Sequence, residues 1–423
     1  MDIPEPIRQL MEQQPELKFF IESLVKKIEQ LEQKLGETEK EKLPFLKPNN
    51  RRRHSKPGRK EGHEGTSRHV PAEIHEEVEL KAECCPHCNT GLGEPVESYT
   101  RYVEDIQPAK PSNRKYNVRR YWCTKCRKLV HRKVPDAIPH SRFGIKLMLW
   151  VDFQRHAMNM PFPKIRQELA SHFGIEATEA SLYNGVKRLA RIFGKEYERI
   201  KVLMRLLCYV YFDDTGWRVN GKNAYLWDFI NSIASLYIIA RTRGGKIPKH
   251  VLGKNYDGIA VSDFYPSFDN LPFRQQKCWL HILRKTRDNC NLEVRRLHKR
   301  LKRLLRDAIG GLGEERLLGR LDEICSEGYR TRICRKVSKL LRKHRESMFR
   351  FVGEEGLDYH NNNSESGLRN VVIMRKVTGG SRSWEGAEVL AINKSVIESW
   401  RKQGKDFFEY GMEYVQKELG LTS

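Results

Sequence analysis

The sequence predicts a multidomain α+β protein: an N-terminal coiled coil, a zinc ribbon and a helix-turn-helix, then an α/β core interrupted by a helical insertion. Three observations predict this. Leu17, Ile21, Leu24, Ile28, Leu31 and Leu35 recur in alternating steps of four and three, the seam of a heptad helix. Two Cys-x-x-Cys pairs lie among short β-like runs between residues 70 and 137. Beyond residue 205, alternating apolar strands give way to amphipathic helices dense in Arg and Lys.

A chain of 423 residues exceeds one ordinary compact domain, so two or more folded units are expected. Its 78 Lys and Arg against 54 Asp and Glu leave a net charge of +24, which attracts polyanions. Nucleic acid is the implied partner. Anionic membrane is disfavoured, since no stretch approaches the roughly 18 apolar residues of a spanning helix. The first residues lack a signal-peptide core, so a cytoplasmic, nucleoid-associated protein is expected. Ten cysteines in so long a chain do not make a disulfide scaffold, and paired cysteines in a reducing compartment suggest metal.

Residues 1–43 form the coiled-coil segment, closed by Pro44. Residues 44–69 are a basic arm rich in Gly and Pro, in which Arg51, Arg52, Arg53, Arg59 and Lys60 suit phosphate contact; a solvated linker is the alternative. Residues 70–137 carry the β-like runs 73–80, 98–106 and 115–123. Cys85, Cys88, Cys123 and Cys126 supply four thiolates for one Zn²⁺, with 35 positions between the pairs and Cys84 as the alternative to Cys85.

Residues 138–204 read as a helix-turn-helix. Phe162, Ile165, Leu169 and Phe173 give the first helix its apolar face, Gly174 the turn, and Thr178, Ser181 and Asn184 stand near the start of the second. A generic helical bundle fits the same pattern. The α/β core then spans residues 205–281 and 358–423, with a basic helical insertion at 282–357. Asp213 and Asp263 fall at the ends of apolar strands and Glu365 at a helix start. Transfer of a phosphodiester needs two hard cations, Mg²⁺ or Mn²⁺, and carboxylates are their natural ligands. Arg375, Lys376 and Arg382, with the Gly379–Gly380 turn, read as a clamp on DNA ends or as a charged hairpin, and Arg369 stands nearby for phosphate contact.

Several blocks resemble one family. GRKEGHEGTSRH, the two cysteine pairs with YTRYVEDIQPAKP between them, RFGIKLM, DDTGWRVNGKNAYLW, SDFYPSFD, CWLHILRK and NNNSESGLRNVVIMRKVTGGSRSWEGAE are similar to transposases of the insertion sequence 66 family. The resemblance implies a ribonuclease-H-like core whose Asp-Asp-Glu triad falls on Asp213, Asp263 and Glu365, with separations of 50 and 102 positions. It places Cys278 and His281 on a Cys-x-x-His signature that supports the active site. The chain departs at Asp214, where the family has Glu, and at Ser366, where it has Arg. A strand alternates its faces, so only one of Asp213 and Asp214 points at the metals, and the resemblance selects Asp213. It further implies binding to the element's terminal repeats and target DNA, a homodimer or higher oligomer, and accessory proteins of the same element. A non-catalytic zinc and helix-turn-helix regulator derived from a transposase is the alternative function.

Overall fold

A computed structural model describes residues 70–104, 110–139, 141–287 and 289–421. The heptad segment and the arm with Arg51, Arg52, Arg53, Arg59 and Lys60 lie outside the described residues. Those at 70–104 belong to one compact unit and those from 110 onward to another.

In the first unit the runs 73–80 and 98–104 are irregular rather than strands, against the expectation for a zinc ribbon. A strand needs a ladder partner and a covered apolar face. Here every residue of 73–80 is exposed, with Val78 at 64% and Leu80 at 93%, so neither face is covered. The regular feature is a tight turn over Cys85–Asn89, beside an isolated bridge between Cys84 and Gly91. In the second unit the expected strand run shrinks to a hairpin of β1 (Arg120–Cys123) and β2 (Lys128–His131).

Helices α1 (Ile145–His156), α2 (Phe162–Phe173), α3 (Glu179–Ile192) and α4 (Gly194–Leu206) follow. α2 ends at Gly174, whose φ of 61° is the left-handed turn that favours glycine. α3 starts with a capping box in which Thr178 and Ser181 satisfy each other's backbone. Its apolar face of Leu182, Val186 and Leu189 is fully buried against the other helices, so the helix-turn-helix outline is also part of a helical layer.

The central sheet has the order β5-β4-β3-β6-β7. β3 (Tyr209–Val219), β4 (Lys222–Ile230) and β5 (Ser235–Ala240) form an antiparallel meander. Asn220 and Gly221 turn the first hairpin with φ of 50° and 72°, a conformation that suits an Asn-Gly pair. After α5 (Lys246–Leu252), β6 (Ile259–Ser262) pairs parallel to β3, and β7 (Arg274–Lys277) parallel to β6.

One sheet face packs on α10 (Asn362–Thr378) and α11 (Trp384–Lys402) through Trp217, Val219, Leu226, Leu368, Val371 and Met374. The other stacks Phe212 on Phe229 at 5.7 Å, with Phe268 against both Phe212 and Trp227. Burying each such side chain contributes roughly 1.5–3 kcal/mol. The edge strand β5 is covered by α11: Ser399 Oγ accepts from the Ser235 N–H at 3.0 Å, and Ser395 Oγ from that of Tyr237 at 2.8 Å. These serines satisfy edge groups that would otherwise invite another strand.

Between β7 and α10 lie α6 (Trp279–Thr286), α7 (Leu292–Ile309), α8 (Glu314–Ser326) and α9 (Arg332–Lys343), the last three within the stretch 282–357. Each is buried along an apolar stripe, such as Val294, Leu297, Leu301 and Leu305 on α7. α12 (Phe407–Leu419) closes the chain against α1. Among the described residues no helix is long and apolar enough to cross a membrane.

Candidate active site

Alternation along β3 separates the two neighbouring aspartates. Asp213 shares the face of Thr215 and Trp217, toward α10, while Asp214 shares that of Phe212. Asp214 accepts from Arg243 Nε at 2.8 Å, and the Arg243 guanidinium lies 3.9 Å from the centre of the Tyr265 ring. Asp213 forms no ion pair with a cation among the described residues. Burial first, and then the charge of Asp263, push its carboxyl up to about 7.

Asp263 directly follows β6. Tyr211 pairs with Val261, so Asp213 and Asp263 each stand two positions beyond that pair on parallel strands. Its Oδ1 accepts from the Tyr265 N–H at 2.9 Å, a local turn that fixes the carboxyl. The buried Lys277 ammonium donates to Ser262 Oγ and to the Asp263 carbonyl, both at 3.0 Å, and burial lowers its pKa to about 8.

Glu365 sits in the first turn of α10, where a negative charge is favoured by the helix dipole. Asn361 fixes that helix start. Fully buried, it donates its backbone N–H to Cys278 Sγ at 3.3 Å and its side-chain amide to the Phe212 carbonyl at 3.1 Å. One residue of the Asn run therefore joins α10 to β3 and to the start of α6.

Arg284, on α6, donates two hydrogen bonds to Glu365, at 2.9 and 2.8 Å. Burial pushes Glu365 up, but the guanidinium more than offsets this and holds the carboxyl below its usual range. His281, almost one turn earlier, brings Nε2 to 4.0 Å from Glu365 Oε1, while its buried Nδ1 has no hydrogen-bond partner. Cys278 is fully buried and its thiol is pushed up to about 11 by burial, so it serves as an acceptor rather than a thiolate.

Among the described residues no three His, Cys, Asp or Glu groups stand close enough to hold one ion. Glu365 is engaged by Arg284, and Asp213 with Asp263 remain in electrostatic contact. The donor set is all oxygen, as hard cations require. The raised pKa of Asp213 registers its burial first and the repulsion of the neighbouring Asp263 carboxylate second.

Sequence reasoning missed four side chains here: Asp228, Arg284, Arg243 and Lys277. A signal existed for Asp228. On β4 it shares a face with Ala224, Leu226 and Ile230, so a carboxyl stands alone in an apolar row.

The basic candidates divide. Arg375 is spent on β3, donating to Thr215 Oγ1 at 3.2 Å and to the Gly216 carbonyl. The Gly379–Gly380 turn likewise joins β3, for the Ser381 N–H donates to the Arg218 carbonyl at 2.9 Å. Arg369, Lys376 and Arg382 are exposed, as is Asn184 on α3, whereas the Ser181 side chain is committed to its cap.

Each cysteine pair forms a turn that ends on a left-handed residue, Asn89 after Cys88 and Arg127 after Cys126. Cys85 donates its N–H to the Thr90 carbonyl at 2.9 Å, and the Cys126 N–H points at Cys123 Sγ at 3.5 Å. The Cys88 thiol is lowered by its hydrogen bond with Thr90, and that of Cys123 by the Cys126 backbone.

No curated protein matches the chain. Residues 140–311 and 314–389, more than half of it and including the meander, β6, α6 and the start of α10, match the family described as Transposase IS66 family. The chain belongs to that family of transposases.

Proposed function

We propose that this transposase cleaves the ends of an insertion sequence and joins them to target DNA, using Asp213, Asp263 and Glu365 with Mg²⁺ or Mn²⁺. The observation that carries the reading is the convergence of Asp213 and Asp263 on adjacent parallel strands, with Glu365 on the helix that packs the same sheet face. Three antiparallel strands followed by two parallel to the first is also the arrangement expected of a ribonuclease-H-like core.

Asp213, Asp263 and Glu365 would hold the divalent ions, which when bound would supply positive charge to the reacting phosphodiester. The chain's own groups prepare the site. Cys278 and Asn361 fix the start of α10, and His281 lies beside Glu365. Arg284 must leave Glu365 for the third carboxylate to reach a cation, and a DNA phosphate is a natural alternative partner for its guanidinium. Water would be the nucleophile in end cleavage and the freed 3′-hydroxyl in joining, so no nucleoside triphosphate is needed.

DNA contact falls to exposed cations. Arg295, Arg296, Lys299, Arg303 and Arg306 on α7, and Arg332, Arg335, Lys336 and Lys339 on α9, have no ion-pair partner among the described residues. Two helices presenting one sign of charge suit the phosphate backbone. Arg369, Lys376 and Arg382 extend the same reading, and the two cysteine turns each offer two thiolates to Zn²⁺. The heptad segment would pair protomers so that both element ends are held together. Purified protein incubated with labelled element ends, target DNA and Mg²⁺ should give joined products; hydrolysed ends without joining would mark a nuclease instead.

A further inference from the structure

We propose that Asp228 is a positioning residue that sets the spacing of Asp213 and Glu365, because one of its oxygens joins the strand carrying the first to the helix carrying the second. The inference rests on the reading of these carboxylates as cation ligands.

Asp228 lies opposite Asp213 in the β3–β4 ladder and is fully buried. Its Oδ1 accepts from the Asp213 N–H at 3.2 Å and from Ser364 Oγ at 2.7 Å. Ser364 immediately precedes Glu365. A single acceptor atom thus fixes the backbone of the first aspartate and the helix turn that presents the glutamate.

The arrangement is costly, which argues against a mere packing role. Asp228 Oδ2 is buried without a hydrogen-bond partner, and an unsatisfied buried oxygen costs about 1–3 kcal/mol. Leu226 and Ile230 flank it on the same face, so an apolar side chain would suit the core better. Asparagine is its closest mimic, because its side-chain carbonyl keeps an acceptor where Oδ1 stands.

Gly367 permits the approach of α10. A Cβ there would collide with Ile230 Cδ1 and stand 3.1 Å from Asp228 Oδ2. The Ser364-Glu365-Ser366-Gly367 stretch therefore combines the bond to Asp228, the glutamate and the clearance that both need.

The test compares full-length wild type with Asp228→Asn, Asp228→Ala and Ser364→Ala. It measures Ca²⁺ binding by calorimetry without DNA, the Mg²⁺ dependence of DNA joining, end binding and thermal melting. Asp228→Asn keeps the acceptor and should stay within about twofold of wild type in Ca²⁺ affinity. Asp228→Ala should weaken Ca²⁺ binding and raise the half-saturating Mg²⁺ by about tenfold, the usual scale for partners that orient ligands, with end binding retained. If Asp228→Ala fails to fold, Ser364→Ala decides, with a loss of about threefold or more expected.

Unchanged Ca²⁺ affinity in folded Asp228→Ala or in Ser364→Ala overturns the inference, as does an Asp228→Asn protein as weak as the alanine variant. Variants weakened for Ca²⁺ in a wild-type background that joins no DNA would uphold the inference and remove the transposition reading.

Discussion

Arg284 holds Glu365 through two hydrogen bonds of 2.9 and 2.8 Å, and so occupies the carboxylate that the triad would offer to a cation. The Arg284 side chain is 46% exposed, so solvent screening limits the pair to about 1 kcal/mol. Arg284→Ala should therefore tighten Ca²⁺ binding about fivefold in the absence of DNA. Calorimetry would show it, and weaker binding would mean that Arg284 orients the glutamate rather than competes for it.

The raised pKa of Asp213 carries a sign. A carboxyl that titrates near 7 in the folded chain, against about 4 unfolded, holds its proton more tightly when folded. Stability of the metal-free protein is thus fully supported below about pH 4 by this group and lost as pH rises through 7. Asp213→Asn should be more stable than wild type at pH 8 by roughly 1–4 kcal/mol, and closer to it at pH 5. Cation affinity of the wild type should rise over the same interval, because the cation displaces that proton. Melting curves at the two pH values without metal would reveal either pattern.

The basic insertion makes a prediction that depends on salt. The triple variant Arg296→Glu, Lys299→Glu, Arg303→Glu should weaken DNA binding, and the slope of log affinity against log salt should fall by about 0.9 for each phosphate contact removed. An unchanged slope would locate the DNA elsewhere. These residues lie on the exposed side of α7, so melting should move little.

Zinc is tested by elemental analysis of the purified chain. Wild type should carry the metal, and Cys85→Ser and Cys123→Ser should each lower its content, with the central sheet still folded. Equal zinc in all three proteins, or none in the wild type, would reject the thiolate reading.

The meander and the strand before Asp263 were legible because buried strands write their burial as apolar runs, broken at Asn220-Gly221 by a turn pair. Glu365 was legible only through the family resemblance, since a glutamate at a helix start is also an ordinary dipole partner. Partners far apart in sequence were not legible: Arg284 and Glu365 lie 81 positions apart, Ser364 and Asp228 136. Nor does a sequence show how a side chain is spent. Arg375 looked available for DNA but is bound to β3, and Ser181 serves its own helix. The runs at 73–80 and 98–104 have strand-like alternation without a partner or a covered face, and periodicity alone cannot supply either.

The most direct test of the central claim is DNA joining by wild type beside Asp213→Asn, Asp263→Asn and Glu365→Gln, each first shown to be folded and to bind element ends. Joined products with Mg²⁺ in the wild type, reduced at least about a hundredfold in all three variants, are the expected result. A variant that binds ends and still joins them at the wild-type rate would contradict the assignment of that carboxylate to the chemistry.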